Sequence, residues 1–151
     1  MYPGSRLKNY SKRDPVARWG LTDRVFFACG ACHILAYAFL ERYPDIDAKV
    51  IWIKPSAGYW GNHAFVDLGD IVFDYHGFSY RDAFDAHLFK RGRHYYGDGW
   101  NAEFIEIPKD VLISEEKSKT YDGMWLREPR QFLHDALPRA HAYLDRFHIP
   151  R

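Results

Sequence analysis

Cysteine is scarce in this chain of 151 residues, occurring only as Cys29 and Cys32. Two cysteines three positions apart cannot frame a small secreted fold, so a disulfide scaffold is excluded. An excess of charge of one sign is lacking too. The formal net charge is +1, which gives no electrostatic reason to expect a nucleic acid or a membrane surface as partner. Apolar runs are short, and none nears the roughly 20 residues of a spanning helix. The first twenty residues are polar and basic (Arg6, Lys8, Lys12, Arg13, Arg18), with no apolar stretch behind them. No secretory signal is therefore expected, and the cytoplasm is the default compartment. Internal repeats, linkers and low-complexity tracts are absent.

Aromatic residues are plentiful. At 18% of the chain, within a hydrophobic share of 47%, they exclude a disordered polymer and supply a core for one domain spanning residues 1–151. Residues 1–18 read as a loosely ordered arm punctuated by Pro3, Gly4 and Asp14-Pro15.

The most informative stretch is Ala28-Cys29-Gly30-Ala31-Cys32-His33, which opens the uncharged run 34–40. With no polar stripe, that run predicts a helix buried on nearly all sides, stopped by Tyr43-Pro44. A cysteine where such a helix begins has a chemical use. The macrodipole and the free N–H groups of the first turn favour a thiolate, which is the nucleophile. The β-rich run 49–54 then predicts a strand ended by Pro55.

Residues 62–68 and 71–76 read as two strands joined by Gly69-Asp70, a pair suited to a two-residue hairpin turn. That register sets Leu68 opposite Ile71, Phe65 opposite Asp74 and His63 opposite His76. One face carries Ala64, Val66, Leu68, Ile71, Phe73 and Tyr75 and is the expected core face. The other carries His63, Phe65, Asp67, Val72, Asp74 and His76. His63 and Asp74 become diagonal neighbours within side-chain reach. Ser79-Tyr80-Arg81-Asp82 fits a capping box opening a helix to about residue 90. Residues 91–100 read as a glycine- and aromatic-rich mobile loop, 103–107 as a strand and 114–120 as a charged surface loop. Helix follows from Pro129, kinked or divided by Pro138. The expected class is α+β, with the Cys-bearing helix on a small antiparallel sheet and further helices towards the C-terminus.

Cys29-Gly30-Ala31-Cys32 resembles the cysteine signature of papain-like peptidases. The order of cysteine, histidine on a strand and aspartate on the next strand resembles the wider superfamily, including transglutaminase-like proteins and bacterial cell-wall cysteine peptidases. The resemblance covers roughly residues 19–77. It implies a papain-like core, Cys32 as nucleophile, His63 as its general base and Asp74 as the acceptor that fixes the imidazole. The backbone N–H of Cys32 would be one oxyanion donor. His76 or Asn62 would assist at the rim, and Tyr59, Trp60, Tyr95 and Tyr96 would wall a substrate cleft. The implied reaction is thiol-dependent hydrolysis, deamidation or transamidation of a peptide, protein or small amide, without cofactor or metal. The pattern departs from the family at His33, where an aromatic is usual. No glutamine precedes Cys32, the only one being Gln131.

Other readings compete. Cys32 also admits a reading as a small buried hydrophobe in a non-catalytic binding module, and Cys29 reads as structural. A polar hairpin face is often simply the wet face. C-x-x-C is also a redox motif when it follows a strand, for which residues 25–28 would have to serve. With His33 it matches the attachment signature of c-type haem. Cys29, Cys32, His63 and His76 offer a donor set suited to zinc.

Overall fold

The computed structural model describes residues 14–150. Residues 1–13 of the expected arm lie outside the described residues, and the arm's last part is helical. The Asp14 carboxylate accepts from the N–H groups of Val16 and Ala17 and opens α1, Pro15–Trp19. Pro15 occupies the first helical position, where its missing N–H costs nothing. Then come α2, Asp23–Ala28, and α3, Cys32–Arg42. His33, Ile34, Leu35, Ala36, Ala38 and Phe39 of α3 are all buried, as the missing polar stripe predicts. The helix ends before Pro44, with the Tyr43 N–H on the Phe39 carbonyl.

Five strands form one antiparallel sheet: β1, Lys49–Pro55; β2, His63–Asp67; β3, Ile71–Asp74; β4, Gly77–Tyr80; and β5, Ala102–Ile107. Their spatial order is β4-β3-β2-β1-β5. The hairpin has the expected register. Val66 pairs with Phe73 and Asp67 with Val72, and the Leu68 N–H donates to the Ile71 carbonyl.

Both faces of this sheet are covered. On one, Val50, Trp52, Ala64, Val66, Phe73 and Tyr75 pack in a common core with α3 and with α6, Ala136–Leu144. The other face does not stay wet. Ile51, Ile53, Phe65 and Val72 pack there with Trp100 and with Phe84, Leu88 and Phe89 of α4, Arg81–Tyr96. Buried apolar area on both faces explains why strands that alternate in sequence carry large hydrophobes at nearly every position.

Helix α4 corrects two expectations. It starts at Arg81, because Ser79 is held in β4 opposite Val72, and no side chain caps it. The Arg81 N–H goes instead to the Asp70 carbonyl. The helix then runs to Tyr96 and absorbs much of the expected loop 91–100. Gly92 is what permits this packing, since a Cβ there would stand 2.3 Å from a ring carbon of buried Trp100. Residues 114–120 are not a plain surface loop either. Ser114 caps α5, Glu115–Ser118, and the fully buried Ser118 hydroxyl accepts from the Leu126 N–H. Pro129–Gln131 is a 3-10 turn. Pro138 lies in the first turn of α6, where proline is tolerated, so it neither kinks nor divides that helix.

Arg139 of α6 holds the entry to the cysteine helix. Its guanidinium donates to the carbonyls of Trp19 and Leu21 and to the Asp23 carboxylate, and it lies 4.1 Å from the centre of the Phe26 ring. Among the described residues, no helix is long and apolar enough to cross a membrane.

Candidate functional site

Cys32 is the first residue of α3 and is half-buried. The first hydrogen bonds of that helix run from Ile34 and Leu35 to the Ala31 carbonyl. The N–H groups of Cys32 and His33 therefore lie ahead of the helical ladder, beside the thiol. Gly30 shapes the turn before them. Its φ of 95° belongs to the left-handed region, which glycine enters without strain.

The thiol opens into a cavity of about 270 Å³ that His33, Asn62, His63 and Trp60 also line. A second cavity, of about 360 Å³, lies between the sheet and α4 and is lined by Asp74, His76, His87 and Trp100 among others. His63 borders both.

His63 begins β2 and Asp74 ends β3. Both are buried, and His63 Nε2 lies 3.0 Å from Asp74 Oδ2. A carboxylate only accepts, so Nε2 carries the proton. Nδ1 is left as the free ring nitrogen. It is buried and has no hydrogen-bond partner among the described residues. The Cys32 thiol interacts with this ring, in a contact looser than a formed hydrogen bond, as is common in a site without substrate. The other Asp74 oxygen accepts from the His76 N–H at 2.9 Å and lies 3.3 Å from His76 Nδ1.

The charges follow from these contacts. Burial pushes the Cys32 thiol up, but the neighbouring His33 and His63 rings and their charge outweigh it and bring the thiol down to about 5. Burial disfavours the His63 imidazolium, whereas Asp74 and Cys32 favour it more strongly, and His63 is raised to about 10. The Asp74 carboxyl also loses hydration on burial, yet His63 and then His76 hold it well below the usual carboxylate range. At neutral pH the three groups are a thiolate, an imidazolium and a carboxylate in a row. Such a row can deliver a nucleophile and return a proton to a leaving group.

The fold therefore gathers Cys32, His63 and Asp74, with His76 on the far side of Asp74. Asn62 and Trp60 line the thiol cavity, Tyr96 borders both cavities, and Tyr95 lines only the second. Tyr95 and Tyr96 sit on the last turn of α4, not on a loop. Tyr59 packs with the Trp100 cluster and lines neither of these two cavities. Cys29 caps the C-terminus of α2, and it forms no disulfide with Cys32.

Two contributors were not legible as such. His33 is buried and its Nε2 donates to the Arg127 carbonyl at 2.6 Å, which leaves Nδ1 for the thiol beside it. Its place directly after Cys32 was the available signal. Trp125, 59% exposed, lines the thiol cavity from 93 residues away, and nothing local in the sequence announces it.

The competing readings meet specific obstacles. Residues 25–28 lie in α2, so the C-x-x-C pair does not follow a strand. His33 Nε2, the nitrogen that would bind haem iron, is committed to a carbonyl. Among the described residues, no group of three or more histidines, cysteines and carboxylates is gathered to hold a metal ion. No family model, no curated protein and no solved structure matches this chain.

Proposed function

We propose that this protein is a thiol-dependent acyl-transfer enzyme of papain-like or transglutaminase-like type, with Cys32 as nucleophile, His63 as base and Asp74 as orienting carboxylate. One observation carries the reading. The buried His63 ring has Nε2 pinned by Asp74, and its only uncommitted nitrogen is left for the thiol.

In the first step the Cys32 sulfur attacks an acyl carbon. A C–S bond forms, and the carbonyl π pair moves to oxygen. Collapse restores the carbonyl and breaks the bond to the leaving amine, which takes the proton from His63. Water or a second amine then attacks the thioester and gives its proton to His63, the C–S bond breaks, and Cys32 is released as the thiolate beside the imidazolium. The residues lining the thiol cavity include no aspartate, glutamate, lysine or arginine, which favours an uncharged, largely apolar acyl group. A peptide, a protein side-chain amide and a small amide all satisfy this chemistry.

An activated ester is the first test. With p-nitrophenyl acetate the expected outcome is rapid acetylation of Cys32 alone, seen by intact mass and peptide mapping. His63→Ala should abolish it. Asp74→Asn should slow it by about 10³-fold, because the imidazole loses its fixed tautomer. A folded protein whose Cys32 stays unacetylated would overturn the reading.

A further inference from the structure

One oxyanion donor, the Cys32 N–H, comes from the start of α3, and one is rarely enough. The single glutamine does not supply another. Its side chain is engaged with the Glu128 N–H and the Glu115 carboxylate and lines neither cavity. The polar side chains around the thiol narrow the choice. His63 is the base, and His33 Nε2 is spent on the Arg127 carbonyl.

Tyr96, Trp60 and Trp125 also bring an O–H or N–H to this cavity, but Asn62 is the side chain next to the base, and its orientation is determined. The indole N–H of Trp52 lies 2.9 Å from Asn62 Oδ1. An indole nitrogen only donates, so the atom facing it must be the amide oxygen. The amide NH₂ is thus the end left for the cavity that Asn62 shares with Cys32 and His63. Trp52 is itself buried in β1, with Ala64 as its pairing partner in β2. A rigid strand therefore sets a donor on the residue just before the base.

We infer that the Asn62 side-chain amide is the second oxyanion donor, acting with the Cys32 N–H, and that Trp52 is the positioning residue that holds its NH₂ towards the acyl oxygen. The inference rests on the acyl-transfer reading. As sulfur attacks, the negative charge that collects on the acyl oxygen receives one hydrogen bond from Cys32 and one from Asn62, and both weaken when the carbonyl re-forms. No proton is transferred by Asn62.

The test compares two reactions of the same thiol. Acetylation by p-nitrophenyl acetate passes through an oxyanion, whereas alkylation by iodoacetamide is displacement at a saturated carbon and does not. Asn62 is exposed at the residue level, so Asn62→Ala leaves the core in place. The expected result is acetylation slowed by about 10²–10³-fold with alkylation unchanged. Asn62→Asp, which still accepts from Trp52 but cannot donate, should lower the ratio of acetylation to alkylation in the same way. Trp52→Phe should lower it less, since the amide is then free to turn. Acetylation and alkylation falling together in Asn62→Ala, or neither falling, would overturn the inference. Wild-type protein that alkylates readily but is never acetylated would instead remove the acyl-transfer reading beneath it.

Discussion

The Arg18 guanidinium donates to the Cys29 carbonyl at 2.9 Å, under the turn that carries the candidate nucleophile. Arg18 is buried, and no carboxylate pairs with it among the described residues. Burial lowers it to about 10, Arg127 adds to the fall, and the two cysteines oppose it. The thiols are thus part of its counter-charge.

Gly30 lies so close to this arginine that a Cβ would stand 1.9 Å from Nη2, and its φ is left-handed. Gly30→Ala should therefore cost about 1–3 kcal/mol in urea unfolding. Combining it with Arg18→Met should recover part of that loss in the double-mutant cycle. An unchanged midpoint in Gly30→Ala would show that the turn is not set by this contact.

The reactivity of Cys32 should be flat across neutral pH. The thiol, lowered to about 5 in the folded state, contributes stability that appears as pH rises above that value and is lost as pH falls through it. His63, raised to about 10, contributes stability that is present below its ordinary value and lost as pH rises through the folded one. The charged pair therefore persists from about pH 5 to about pH 10. Iodoacetamide rates, mapped to each cysteine, should fall only below the lower edge. In His63→Ala the lower edge should move up towards the ordinary thiol range. A wild-type profile rising only above pH 8 would contradict the pairing.

Trp60 and Trp125 stand 64% and 59% exposed at the rim of the thiol cavity. Exposed aromatic area of this kind is poorly explained by folding. Trp125→Ala should change stability by no more than about 0.5 kcal/mol, yet raise KM for a p-nitrophenyl ester with a long apolar acyl chain and leave kcat alone. Equal KM values would assign Trp125 no part in binding.

Much of this arrangement was readable from local pattern. Gly69-Asp70 fixes the hairpin register by turn geometry, and that register alone brings His63 and Asp74 within reach. The uncharged run after Cys32 marks a helix buried on nearly all sides. What could not be read was what covers the second sheet face. His63 and Asp74 alternate with Ala64 and Phe73 and so look solvated. That face is closed over by α4, whose packing depends on Gly92 meeting Trp100 eight positions later, a fit of shapes rather than a periodicity. Helix propensity likewise argues against carrying α4 through Gly92. Tyr59 at its loop tip turns inward for a similar reason, because the cluster around Trp100 offers it cover.

The bonds from Arg139 to Trp19, Leu21 and Asp23 join positions 116–120 residues apart. Loops of that length close late, after local helices and the hairpin have formed. The cysteine helix can thus be complete while its approach is still unanchored. During synthesis on the ribosome, the thiol and its imidazole exist long before α6 emerges to tie the entrance down. The approach to Cys32 is thus finished only when α6 packs and Arg139 reaches Trp19, Leu21 and Asp23.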